Sequence, residues 1–152
     1  MNFIFNTLNI IRANTWKAIE GYSEEQLNKI PEGFGNNIAW NLGHMVATQQ
    51  ILCYKIGGAE TIIPESFLAL YKKDTSPKNW EKPADLKEIK HYFEITSERF
   101  SGDYDKKLFS NYKEYKTSAG VVLTCIDDAL IYNYGHENLH YGVILNLRKL
   151  VK

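Results

Sequence analysis

Apolar side chains recur every three or four residues along four long segments of the chain, which is the spacing of one face of an α-helix. In the first segment, Ile4, Leu8 and Ile11 begin such a stripe. The second segment is preceded by asparagines that are suitable N-caps. We therefore predict four amphipathic helices, which cover residues 3–20, 37–56, 84–101 and 121–151.

The connections between these helices differ in length and composition. In the first, Ser23 is placed to cap a short helical turn through Gln26. The longest connection, 59–83, is interrupted by prolines, although "ESFLALYKK" within it is compatible with two turns of helix. Before the last helix, weak alternation in "NYKEYKTS" leaves a short hairpin open.

The pattern contains no convincing sheet, so it predicts an all-α fold. Helices of this number and length form a four-helix bundle, here with long connections on either side of the third helix. A chain of 152 residues suits one domain, and we assign 1–152 to it.

Composition narrows the choice of partners. Lys+Arg and Asp+Glu each number 18, and a net charge of zero provides no global field to attract nucleic acid or anionic lipid. No segment has the character of a signal peptide or a membrane span. Cys53 and Cys125 are far apart, so we expect reduced, half-buried thiols in a cytoplasmic protein. A small molecule is the expected partner.

The last helix contains the most informative motif, "HENLH" at residues 136–140. H-E-x-x-H on a helix is the zinc-binding motif of metalloproteases, with the glutamate as general base. In those enzymes a third ligand commonly follows in the sequence, but the twelve residues after His140 contain no His, Glu, Asp or Cys. The protease interpretation therefore fails. His136 and His140 still share the apolar side of the helix one turn apart, which favours a common metal ion.

A third ligand would have to come from earlier in the chain. His91 lies opposite the apolar stripe of the third helix, so we expect it to face solvent. His44 shares a stripe with Trp40 and Ile51 on a helix that is apolar around most of its circumference, and it must therefore face protein. These residues alone leave two interpretations of His44 open, a metal ligand or a core histidine bonded to a neighbour.

The segments "NNIAWNLGHMVATQQ" and "HENLHYGVI" resemble the DinB-like superfamily of four-helix bundles, and the resemblance extends over nearly the whole chain. That superfamily includes bacillithiol and mycothiol S-transferases and proteins described as metal-dependent hydrolases. The resemblance implies that His44, His136 and His140 bind a divalent metal ion, commonly nickel or zinc and in some relatives iron or manganese. Relatives are frequently homodimers, for which the tyrosine-rich segment 104–115 would supply contact area. Where relatives often read H-x-G-Q-I, Val143 replaces the glutamine.

Three imidazoles with an open coordination position form a catalytic rather than a closed structural metal site. The resemblance favours a thiol S-transferase that joins a low-molecular-weight thiol to a small electrophile. A hydrolase of a small amide or ester is an alternative, with Glu137 as the proton acceptor. A non-catalytic metal- or ligand-binding module is another. Trp40, Tyr132 and Tyr141 are either pocket or core residues.

Overall fold

The computed structural model describes residues 1–152 and arranges them as six α-helices and one short antiparallel hairpin. In chain order the elements are α1 (Asn2–Ala18), α2 (Glu24–Asn28), α3 (Ile38–Gln49), α4 (Glu65–Tyr71), α5 (Leu86–Asp105), β1 (Tyr115–Lys116), β2 (Val122–Leu123) and α6 (Ile126–Leu150). A π-helical segment, Gln50–Lys55, continues α3, and a 3-10 turn, Pro77–Asn79, precedes α5. The all-α prediction is confirmed, and α1, α3, α5 and α6 form the bundle.

We predicted that the last helix begins at residue 121, but it begins at Ile126. Val122 pairs with Lys116, and Leu123 pairs with Tyr115, so the residues before α6 are extended. Gly120 has a φ of 84°, a conformation that glycine adopts readily in a tight turn. The hairpin that "NYKEYKTS" left open therefore exists. Its second strand occupies residues that we assigned to the helix. The sequence is ambiguous there, because β-branched valines fit either a helical or a strand periodicity over so short a stretch.

Helix α3 lies at the centre of the bundle. All but one of its residues are buried, and it packs against α4, α5 and α6. Its N-terminus is fixed by Asn37, whose Oδ1 accepts the Trp40 N–H at 2.7 Å. Because α3 has almost no solvent-facing side, its polar residues Asn41 and His44 must find partners within the protein.

Smaller predictions from the sequence have mixed outcomes. Ser23 and Gln26 form the predicted capping box at the start of α2.

The expectation of half-buried cysteines is wrong, because Cys53 is completely buried and Cys125 is exposed, both as free thiols. Burial, reinforced by the charge of Glu137, raises the pKa of the Cys53 thiol. No helix combines the length and apolarity needed to cross a bilayer.

A buried ion pair joins three of the four long helices. Arg12 of α1 donates from Nε and Nη2 to the two carboxylate oxygens of Glu137 on α6, at 2.9 and 2.7 Å. Its Nη1 donates to the Phe93 carbonyl and the Thr96 hydroxyl of α5, at 3.0 and 2.9 Å. Both charged side chains are nearly inaccessible to solvent, with 4% and 0% exposure. The bidentate geometry thus fixes the rotation of α6 against α1 and α5.

Replacing Glu137 with leucine should lower the free energy of unfolding by about 3–5 kcal/mol, because the Arg12 guanidinium would remain buried without a counter-charge. The double variant Arg12→Met, Glu137→Leu should recover most of that loss, since both charges are removed together. Urea unfolding followed by circular dichroism measures both effects. A Glu137→Leu variant as stable as the unmodified protein would show that the pair does not hold these helices together.

Candidate metal centre

Three histidines meet where α3 faces α6. The ring centroids of His44 and His136 are 5.1 Å apart, those of His44 and His140 are 4.8 Å apart, and those of His136 and His140 are 4.4 Å apart. One ring nitrogen from each residue lies within 4.8 Å of the others. Residues about ninety positions apart in the chain are therefore brought to one point, as metal binding requires. His91 is exposed on α5 and takes no part.

His44 is oriented by a carbonyl oxygen of α4. Its Nδ1–H donates to the backbone oxygen of Tyr71 at 2.7 Å, which leaves the lone pair on Nε2. Helix α4 reaches this position because α3 carries Gly43 there, and a Cβ at that glycine would collide with the Tyr71 ring. Trp40 stacks on the His44 ring from the other direction, with a centroid distance of 4.4 Å and an interplanar angle of 13°. Both contacts limit rotation of the imidazole.

His140 is oriented by a side-chain carbonyl of α3. Its Nδ1 lies 2.7 Å from Oδ1 of Asn41, and the Asn41 amide is itself fixed because Nδ2 donates to the Asn37 carbonyl at 2.7 Å. Since Oδ1 can only accept, Nδ1 of His140 carries the proton and Nε2 carries the lone pair. This is the usual arrangement of a metal-binding histidine, whose second nitrogen donates to an oxygen outside the coordination sphere.

His136 completes the group without such a partner. Its Nε2 lies 3.1 Å from Nε2 of His140, while its buried Nδ1 has no hydrogen-bond partner. Two nitrogens bound at about 2.0–2.1 Å to one tetrahedral ion would be about 3.3 Å apart, so the observed separation suits a shared ion. The three residues therefore fit a divalent metal ion such as zinc or nickel.

The imidazoles are neutral at pH 7, which is the form that binds a metal. Burial lowers the pKa of His44. Burial, with a smaller effect of His44, lowers the pKa of His136 to about 4. Burial and the two neighbouring imidazoles lower the pKa of His140 to about 3. Protons therefore do not compete with a metal ion for these nitrogens at neutral pH.

A pocket of about 310 Å³ opens beside the histidines. Its walls come from α3 and the π-helical segment that continues it, the residues directly after α4, the hairpin and α6. The lining residues are His44, Thr48, Ile51, Leu52, Lys72, Lys73, Tyr115, Thr117, Ser118, Tyr132 and His136. The volume is that of a small ligand site, and it places a small molecule next to His44 and His136.

The pocket combines residues that the sequence indicated with others that it did not. Tyr132 lines the pocket, Tyr141 does not, and Trp40 supports His44 and is nearly buried. Lys72 and Thr117 belong to the two long connections. The only indication in the sequence that these connections contribute to a site is their length, because long loops often cover a functional site. Their approach to the histidines depends on long-range packing that helical periodicity does not encode.

Glu137 lies in the core, completely buried, although it adjoins His136 in the sequence. Both of its carboxylate oxygens accept hydrogen bonds from Arg12, and Oε1 also accepts from Asn133 at 2.9 Å. It is absent from the lining of the pocket. The predicted role of Glu137 as a proton acceptor has no support in these contacts.

Comparison with known families agrees with the geometry. The family model described as the DinB superfamily matches residues 7–144, which includes all three histidines. The chain belongs to the DinB superfamily. The family membership that we inferred from the two histidine segments is thus confirmed. A divalent metal site at the three histidines agrees with this membership. No significant match was found among the curated proteins.

Replacing Gly43 with alanine should weaken zinc binding by about tenfold or more, as changes in the outer shell of a metal site do. The new Cβ would displace Tyr71, whose carbonyl orients His44. Overpacking should also lower the free energy of unfolding by about 1–3 kcal/mol. Zinc titration calorimetry measures the first effect and thermal unfolding measures the second.

Gly102→Ala is the matched control, because Gly102 lies within α5 and a Cβ there would meet no neighbouring atom. This variant should bind zinc like the unmodified protein. Equal zinc affinity in Gly43→Ala would contradict the orienting role of the Tyr71 carbonyl.

Proposed function

We propose that this DinB-superfamily protein is a metal-dependent thiol S-transferase that joins a small thiol to a small electrophile. The observation that carries the proposal is the pocket beside the three histidines. No fourth histidine, cysteine or carboxylate belongs to the group, so a coordination position is left for a ligand. A purely structural metal site normally uses four protein ligands.

His44, His136 and His140 would hold the ion through Nε2. A divalent ion there supplies the chemistry of binding a thiol as its thiolate at neutral pH. In the reaction, the sulfur forms a bond to a carbon of the electrophile, the leaving group departs with its electron pair, and the thiol proton passes to solvent. The protein's contribution is to hold the two reactants close together in the pocket.

The charges of the pocket favour substrates that carry an anionic group. Lys72 and Lys73 are the only formally charged side chains in its lining once the histidines are neutral. Lys73 is paired with Asp74 at 2.9 Å, whereas Lys72 forms no ion pair. The whole chain has zero net charge, so this positive potential is local to the pocket.

Hydrolysis of a small amide or ester is the weaker enzymatic alternative. Attack by metal-bound water is faster when a nearby group accepts its proton. Glu137 is occupied by Arg12 in the core, and no carboxylate lines the pocket. A module that binds only a metal ion would not require the open pocket, and one that binds only a ligand would not require an incomplete set of metal ligands, so we rank a non-catalytic module last.

The zinc- or nickel-loaded protein should conjugate 2-mercaptoethanesulfonate to monobromobimane faster than the uncatalysed reaction. His44→Ala removes one ligand and should reduce the rate by at least about a hundredfold, more than outer-shell changes cost. His91→Ala is the matched control, because His91 is exposed and lies outside the site. Bimane fluorescence measures the rate in each case.

Substrate charge provides a second comparison in the same assay. Mercaptoethanesulfonate should react faster than cysteamine, which has the same carbon chain and a positive charge, after correction for the uncatalysed rates. Absence of conjugation with every thiol, together with hydrolysis of a simple ester, would reverse the order of the two enzymatic functions.

A further inference from the structure

His136 differs from the other two histidines in its outer contacts. Nδ1 of His44 donates to the Tyr71 carbonyl, and Nδ1 of His140 donates to the Asn41 side-chain carbonyl. Nδ1 of His136 is buried and has no hydrogen-bond partner. Buried polar atoms of this kind are rare in folded proteins, so the exception needs an explanation.

Asn133 presents the complementary exception one helical turn earlier. It is completely buried on α6, and its Oδ1 also has no hydrogen-bond partner. Residues three positions apart on a helix are neighbours on its surface, with Cβ atoms about 5–6 Å apart. The side chains that carry the unpaired acceptor of Asn133 and the unpaired ring nitrogen of His136 are therefore neighbours on α6.

The orientation of the Asn133 amide follows from its other contact. Its Nδ2 donates to Oε1 of Glu137 at 2.9 Å. A carboxylate held by the Arg12 guanidinium can only accept hydrogen bonds, so a reversed amide would place Oδ1 against a negative oxygen. The ion pair thus requires Nδ2 to face Glu137, and Oδ1 is the atom left for another donor.

We propose that Asn133 is a positioning residue for His136, with its Oδ1 accepting the hydrogen bond of the His136 Nδ1–H. The inference rests on the proposed metal centre, in which all three histidines bind through Nε2. The contact forms directly after a small rotation of either side chain or through one buried water, which has the two polar partners it needs. Each of the three imidazoles then donates to a carbonyl oxygen, in the case of His136 directly or through that water.

This contact gives the buried ion pair a function at the metal centre. Arg12 fixes Glu137, Glu137 fixes the amide of Asn133, and Asn133 fixes the ring of His136. Glu137 of the "HENLH" motif then acts two contacts away from His136, through orientation and not through proton transfer. A carboxylate in the outer shell orients metal-bound histidines in many proteins, and here an asparagine transmits its effect.

Asn133→Leu tests the proposal, with Asn138→Leu as the matched control. The two variants make the same replacement on α6, but the Asn138 side chain donates only to the Tyr134 carbonyl of its own helix. Calorimetric titration with zinc should show affinity about 10–100-fold lower in Asn133→Leu. Asn138→Leu should bind within twofold of the unmodified protein. Equal zinc affinity in the two variants would overturn the proposal.

A second measurement does not require a variant that folds. In ¹⁵N-labelled, zinc-loaded protein, the His136 ring should be protonated at Nδ1, and that proton should exchange slowly with solvent. A cross-peak from the proton to water would identify the water-mediated contact, and its absence would identify the direct one. An unprotonated Nδ1, or a proton that exchanges as fast as that of an exposed imidazole, would overturn the proposal.

The same titrations separate this inference from the proposed metal centre. If His44→Ala binds zinc as tightly as the unmodified protein, the metal centre itself is wrong. If His44→Ala loses affinity while Asn133→Leu keeps it, only the role of Asn133 is wrong.

Discussion

The burial of three uncharged imidazoles between α3 and α6 is the constraint on which the rest of the structure depends. Imidazoles in a core are costly unless each polar nitrogen is satisfied by a hydrogen bond or a metal ion. The fold meets this requirement at Nδ1 of His44 and His140, with carbonyl oxygens from α4 and α3 respectively. The opposite nitrogens converge, and a cation is the natural partner for converging lone pairs. The outer contacts therefore determine the chemistry of the inner ones.

The H-E-x-x-H motif acquires a different meaning in this bundle from the one it has in metalloproteases. The histidines keep their metal-binding geometry because one helical turn separates them in either context. The glutamate lies about 100° around the helix, where it meets α1 and forms a buried pair with Arg12. A general base must reach the pocket, and this carboxylate is held by a guanidinium in the core. The tertiary contacts of Glu137, and not the sequence of the motif, determine its role.

Local patterns in the sequence were sufficient to predict the helices, the α2 capping box and the paired histidines of α6. Each of these features depends on residues within a few positions of one another, so periodicity and cap chemistry reveal them. His44 could be assigned from its resemblance to relatives, but not from its own stripe of apolar neighbours. Contacts such as Arg12 with Glu137 and Asn41 with His140 join residues that are distant in the chain. They depend on how the helices rotate against one another, which no single segment specifies.

The late start of α6 has a similar origin. Val122 and Leu123 have helical spacing with the following apolar positions, but they pair with β1 in an extended conformation. That pairing also places Thr117 and Ser118 in the wall of the pocket. The element that sequence periodicity described least well is thus one of those that shape the pocket beside the histidines.

Anomalous X-ray diffraction from crystals of the zinc-loaded protein would show whether the three histidines share one ion. We expect one zinc peak per chain, about 2.0–2.1 Å from Nε2 of His44, His136 and His140, with the remaining position open to the pocket. A zinc peak bound by other residues, or the His44 ring turned away from the ion held by α6, would contradict it.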